Sequence, residues 1–155
     1  MAQPKTIKVK TARFGLIEVP ESAMIYIPQG ILGFPRSVRY VILDHTENSP
    51  IKWLQSVDEP EVAFAMTDPL IFFPDYFLQV KQEELGGLEL ERIEDLIVYV
   101  ILSLRSPLEQ MSANLQGPIL INVKNRRGRQ VVLKDGQYHT RHYILPRTRQ
   151  GKKGS

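Results

Sequence analysis

The 155-residue chain has no cysteine, a single tryptophan and no run of eighteen consecutive apolar residues. Without cysteine there are no disulfides, no thiol nucleophile and no cysteine-ligated metal. Without a long apolar run there is no membrane-spanning helix. No Gly-rich segment follows a strand and opens a helix, so phosphate-loop and dinucleotide patterns are missing. A G-x-S-x-G nucleophile elbow is missing too. The opening MAQPKTIKVK lacks the apolar stretch of a secretory signal, and the expected compartment is the cytoplasm. Internal repeats and low-complexity segments are also lacking. What is present, 43% apolar and 24% charged residues, is the composition of an ordinary globular protein. The length suits one domain, expected over residues 1–145, followed by a frayed, disordered basic tail over 146–155.

The net charge of +3 conceals a strong split. Residues 41–100 carry 13 Asp/Glu against 3 Lys/Arg, a sum of −10, whereas residues 124–155 carry 10 Lys/Arg against 1 Asp, a sum of +9. An acidic middle repels a phosphate backbone and attracts a basic protein partner, steering its arrival more than tightening the final grip.

Alternation of apolar and polar residues predicts strands over Thr6–Lys10 and Leu16–Val19, an opening hairpin turned at Gly15. Further strands are expected at Ala23–Ile27, Tyr40–Leu43, Ile51–Ser56, Val62–Thr67, Gln130–Leu133 and, at an edge, Tyr138–Leu145. The β-branched run Ile97–Leu102 reads as a buried central strand. Met111–Leu115 and Ile119–Val123 flank a kink at Gly117–Pro118. Helix is confined to Lys81–Leu85, stopped by Gly86–Gly87, and to Glu89–Leu96. Nine to eleven strands with one or two short helices describe an all-β, small antiparallel barrel or sandwich.

Candidate chemistry is thin. His139 and His142 stand three apart, a spacing that shares a face on a helix but not on the strand expected here. No carboxylate joins them, so no metal site is expected. Asp58, Glu59, Asp68 or Asp75 could pair for acid/base work, but Asp beside turn-forming residues caps backbone N–H groups instead. The basic stretch Lys124–Arg129 could contact RNA phosphates and is equally a solvated hairpin tip that deters edge aggregation.

The densest segment is Trp53–Tyr76, WLQSVDEPEVAFAMTDPLIFFPDY, with the only Trp, three Pro and five carboxylates. It reads as a strand pair followed by a partly exposed aromatic-acidic corner, because Pro cannot donate to a ladder. Trp53 and Phe64 are the expected buried members. Pro69 and Pro74 bend the chain, so Leu70, Ile71, Phe72, Phe73, Tyr76 and Phe77 cannot all face inward. An exposed aromatic rimmed by Asp68 and Asp75 suits a basic partner. The expected partner-binding set is Asp58, Glu59, Asp68, Phe72, Phe73, Pro74, Asp75 and Tyr76.

The blocks TARFGLIEVP, PQGILGFP, KWLQSVDEPEVAFAMTDPLIFFPDY and ANLQGPILINVKNRRGRQVVL together resemble the FliW flagellar assembly factors, over roughly Ile7 to His142. In AMTDPLIFFPDY, residues Asp68, Pro69, Phe73, Pro74, Asp75 and Tyr76 match that family's pattern; Val80 to Leu96 matches in character more than in residues. The resemblance implies a β-barrel-like protein, monomeric when free, without catalysis, cofactor or metal. It further implies two alternative protein partners: flagellin, held before export, and CsrA, a dimeric repressor of flagellin mRNA translation. CsrA would be inhibited without direct competition for its RNA site. Direct nucleic-acid binding through Lys124–Arg129 is the alternative reading.

Overall fold

The computed structural model describes residues 5–134 and 136–145, so the tail expected over 146–155 lies outside the described residues. Strands β1 (Thr6–Thr11) and β2 (Gly15–Pro20) form a hairpin of their own. Gly15 takes the left-handed conformation (φ 74°) that the turn requires. The tip of this hairpin packs over Trp53: Phe14 meets the indole edge-on, and the Arg13 guanidinium lies 4.0 Å from its centroid. The indole N–H donates to His45 Nδ1 at 3.0 Å, so the buried Trp keeps its hydrogen bond.

The other strands are β3 (Ile25–Tyr26), β4 (Arg39–Asp44), β5 (Lys52–Ser56), β6 (Ala63–Thr67), β7 (Leu96–Ser103), β8 (Ser112–Ala113), β9 (Ile119–Asn122), β10 (Arg127–Gln130) and β11 (His142–Tyr143). Seven of them run in the order β7-β6-β5-β4-β3-β10-β9, and β9 pairs back onto β7 to close a barrel. The long β7 makes closure possible. Leu96–Tyr99 face β9, Val100 and Ile101 pair with β6, and Leu102–Ser103 continue onto β8, which carries β11. Among the described residues every ladder is antiparallel except the parallel pairing of Tyr26 with Arg127 between β3 and β10.

Strand alternation sorts the apolar residues into two cores. Ile25, Ile27, Tyr40, Leu54, Met66, Ile119 and Ile121 fill the barrel interior. Their neighbours Trp53, Ala65, Val100, Leu102 and Leu120 point outward, where Tyr76, Leu88, Val131, Leu133 and Tyr138 cover them. A fully buried Leu or Ile of this kind contributes about 1.5–3 kcal/mol. Gly128 faces the interior, and a Cβ there would lie 3.2 Å from Ile27 Cγ1 and 3.3 Å from Ile121 Cγ1.

Several expectations need correction. Ala23 belongs to a 3₁₀ turn, Glu21–Ala23, so β3 keeps only two residues. The helix expected over Glu89–Leu96 shrinks to the 3₁₀ turn Ile93–Asp95: Glu89 is left-handed at φ 52°, closing the preceding turn, and Arg92 is extended at φ −134° in the middle of the run. Gly86–Gly87 do not stop the preceding helix, α2 (Gln82–Leu85), but carry it on into the 3₁₀ turn Gly86–Leu88. The strand expected at Gln130–Leu133 lies earlier, at Arg127–Gln130, and Lys124–Arg129 is therefore not merely a tip. Ile97 is exposed within β7, so that strand is not buried on both faces. Phe64 is half-buried, edge-on to Phe34 at 5.1 Å between centroids.

Candidate functional site

The residues expected to meet partners are divided between the two ends of β6. Asp58 and Glu59 lie in the β5–β6 turn, whereas Asp68 to Tyr76 follow β6 at its other end. A five-residue strand sets these ends roughly 17 Å apart.

At the turn, the carboxylates are taken up by the protein itself. Asp58 Oδ2 accepts the backbone N–H groups of Val38 and Arg39, both at 2.9 Å, and Oδ1 accepts the Arg39 side chain. Burial pushes the Asp58 carboxyl up, but those two N–H groups and the guanidinium outweigh it and hold the carboxyl below its usual range. Glu59 accepts the Ser37 hydroxyl and has Arg36 at 3.9 Å. Beside this network Tyr40 is buried in the barrel, and desolvation, with Glu59 and Asp58 nearby, pushes its phenol up to about 12. Asp58 and Glu59 are thus structural groups, against the expectation that they present themselves to a partner.

At the other end, helix α1 (Pro69–Phe72) makes the corner. Asp68 caps it, accepting the Leu70 N–H at 2.9 Å, and Pro69 stands at the first helical position, where its missing N–H is not needed. Pro74 follows one residue after the helix and prevents its extension. One helical turn aims Leu70 (54% exposed) and Ile71 (52%) at solvent. Phe72 and Phe73 are half-buried, and Pro74 and Asp75 are exposed.

Tyr76 corrects the expectation of an apolar contact surface. It is 9% exposed, donates its hydroxyl to the Leu115 carbonyl and lies 4.6 Å from the Tyr138 ring. It anchors the corner from beneath. The exposed aromatic is Phe77, at 59%, which the expected partner-binding set omitted. Its N–H donates to the Tyr138 hydroxyl, so its backbone is fixed while its ring is free. The alternation Tyr76 in, Phe77 out carried the signal.

Beside α1 lies a groove of about 610 Å³. Leu70, Ile71, Leu78 and Ile97 give it apolar walls, and Lys52, Asp68 and Tyr99 line it as polar groups. Lys52 bonds Asp44 directly across β4 and β5 at 2.6 Å, a hydrogen bond that holds its ammonium pKa above the usual value. Burial raises the Tyr99 phenol, and nearby Asp68 and Asp44 add to the rise. Apolar walls with a few convergent polar groups are the ordinary make-up of a binding cleft. Leu70, Ile71 and Ile97 were not in the expected set, since local sequence does not say which apolar residues a short helix leaves outside.

His139 and His142 are not on opposite faces of a strand. Only His142 is in β11, and the rings stack at 5.6 Å, with the His139 N–H donating to His142 Nε2 at 2.8 Å. Among the described residues, no group of three or more His, Cys, Asp or Glu is placed to hold a metal ion. The basic stretch is also largely committed: Arg126 donates to the Ala23 carbonyl and Arg129 to the Glu84 carbonyl.

A comparison with family models matches residues 8–144 to the FliW protein family. The chain belongs to the FliW family. The flagellar assembly factor FliW of Thermoanaerobacter pseudethanolicus is 38% identical over 140 residues, which cover 90% of this chain and 93% of that protein. The flagellar assembly factor FliW of Bacillus velezensis is 38% identical over 136 residues, 88% of this chain and 95% of that one. A crystal structure of the flagellar assembly factor FliW superposes with a TM-score of 0.84 at 36% identity, covering 90% of this chain and 98% of that chain. The all-β fold expected from sequence, as a barrel or sandwich, is therefore the fold of this family, and here it is a barrel.

Proposed function

We propose that this flagellar assembly factor works without catalysis, as a cytoplasmic partner switch. It holds flagellin before export; once flagellin leaves, it binds CsrA and relieves repression of flagellin mRNA. The observation that carries this reading is the groove beside α1, lined by exposed Leu70 and Ile71 together with Asp68, with the exposed Asp75 following on the same corner of the chain. Apolar area supplies affinity there, and the two carboxylates supply orientation toward a basic partner. The binding set is accordingly Asp68, Leu70, Ile71, Phe72, Phe73, Pro74, Asp75 and Phe77, with Tyr76 as its support.

Titration calorimetry with purified CsrA tests it. The double variant Asp68→Lys/Asp75→Lys is expected to bind at least about tenfold more weakly while its circular dichroism is unchanged. Unchanged CsrA affinity in the folded double variant sinks this placement of the site.

A further inference from the structure

Beneath the partner-binding corner lies a pair of imidazoles that the proposed function does not use. His142 is half-buried at the start of β11, and His139 is exposed three residues earlier. Their rings stack with centroids 5.6 Å apart and planes 13° from parallel. The His139 N–H donates to His142 Nε2 at 2.8 Å, a bond that only an unprotonated nitrogen can accept.

From this pair, contacts run to three residues of the corner. The His142 ring meets Phe73 edge-on at 6.2 Å. It also meets Tyr138 edge-on at 5.9 Å, and the Tyr138 hydroxyl accepts the Phe77 N–H at 2.8 Å. The His139 carbonyl accepts the Leu115 N–H at 3.1 Å, while the Leu115 carbonyl accepts the Tyr76 hydroxyl at 2.8 Å. Phe73, Tyr76 and Phe77 thus take their places from groups that the two histidines hold.

The surroundings leave a charge on His142 unanswered. From its own segment the titratable groups against it are His139 and Tyr138, with Tyr76 behind Tyr138; Arg141 and Tyr143 flank it in sequence. Across the ladder β8 presents Ala113, and the corner presents Phe73. Among the described residues neither imidazole has a carboxylate at ion-pair distance. Burial first, and then His139, disfavours the charged ring. A proton on Nε2 also sets two donors head to head, so the charged ring must leave its place between Phe73 and Tyr138.

We propose that the His139–His142 pair is a proton-operated clamp: while neutral it holds Phe73, Tyr76 and Phe77 in the arrangement that binds a partner, and a proton on His142 lets the corner go. The clamp rests on the reading of that corner as the CsrA site and supplies its regulation. The clamped form is the one that does not take the proton, so affinity falls as pH drops below the ordinary histidine range. His142 is then a positioning residue, acting through Phe73 and Tyr138.

Calorimetry with CsrA at pH 7.5 and 5.5 tests the full chain against His142→Gln, whose amide oxygen still accepts an N–H and takes no proton. At pH 7.5 the two are expected to bind alike. At pH 5.5 the parent is expected to lose between about two- and tenfold more affinity than the variant, the ceiling for a group titrating no higher than about 6.5. The titration of CsrA itself cancels in that ratio, and an equal loss in both overturns the clamp. Amide and histidine-ring NMR of the free chain over the same range needs no partner. The amides of Phe73, Tyr76 and Phe77 are expected to shift with the midpoint of the His142 ring, and amides that ignore that midpoint also overturn it. If CsrA fails to bind the parent at pH 7.5 while the corner follows His142, the choice of partner falls and the clamp stands.

Discussion

At one end of β6 the carboxylates of Asp58 and Glu59 face their own chain; at the other, those of Asp68 and Asp75 lie on exposed residues. Both ends are acidic and both carry Phe, so composition alone treats them alike. The difference lies in what waits for each carboxylate. The β4 strand begins at Arg39 and leaves the Val38 and Arg39 N–H groups pointing at the β5–β6 turn, and Asp58 satisfies them. At the corner the helix has one turn, needs one cap, and takes it from Asp68 through a single oxygen. Asp75 has no partner among the described residues. A carboxylate already accepting three hydrogen bonds must give them up to meet a partner; one accepting none gives up only water.

The comparison breaks first, if it breaks, at Asp58. The variant Asp58→Ala leaves two backbone N–H groups and a guanidinium unanswered and is expected to lose about 2 kcal/mol of stability in urea unfolding, with CsrA affinity of the folded fraction unchanged. A loss of affinity without a loss of stability would put Asp58 on the partner-facing side after all. The pH dependence has a definite sign. The folded-state pKa of Asp58 lies below the ordinary value of 3.8. Its contribution is complete above that value and drains away as pH falls through it toward the folded-state pKa. The variant Asp58→Asn is expected to flatten the profile of urea midpoints in that acidic window, and a profile parallel to the parent's would contradict the network.

Strand periodicity made most of the barrel legible, because alternate residues must serve two different cores; Leu54 and Trp53 on β5 are the plain case. The closure was not legible. It depends on β9 returning to β7 and on a single parallel contact between Tyr26 and Arg127, neither of which leaves a local pattern. Gly128 misled in the same way: inside KNRRGR it reads as a turn glycine, whereas its use is to let Ile27 and Ile121 close the barrel. At the site, Asp68, Pro69 and Pro74 announced the corner, since capping and the missing N–H of Pro act locally. Which apolar side chains the corner exposes was not local information. Leu70, Ile71 and Phe77 are outside because Tyr76 and Phe73 take the inward places against Tyr138 and His142.

A smaller effect sharpens the comparison at Asp68. The variant Asp68→Ala removes the cap of a four-residue helix and is expected to cost about 1 kcal/mol, half the loss at Asp58. Because Asp68 also lines the groove, CsrA affinity should fall with it, and Asp68→Asn, which keeps a capping oxygen, should restore stability without restoring affinity. Rescue of both by Asn would mean that the cap alone matters. His142 tests the packing beneath. Burial first, and then the neighbouring His139, lowers its pKa from 6.5. The folded chain therefore favours the neutral ring that accepts the His139 N–H, and stability falls as pH drops below 6.5. The variant His142→Gln should flatten that slope, read from urea midpoints at two pH values.

The smallest effect on stability, and the most decisive on function, belongs to Asp75. It is exposed, caps nothing and pairs with nothing among the described residues, so Asp75→Ala is expected to change stability by less than about 0.5 kcal/mol. Any drop in CsrA affinity then cannot come from the fold and must come from the surface itself. Its salt dependence separates the two ways a charge acts. A carboxylate that steers a basic partner slows association and loses its influence as ionic strength rises, whereas one buried in the interface speeds dissociation with little regard to salt. Asp75 stands on the rim beyond Pro74, so the first pattern is expected, and surface plasmon resonance of Asp75→Ala at low and high salt distinguishes them. A change confined to dissociation would move Asp75 from the edge of the footprint to its centre.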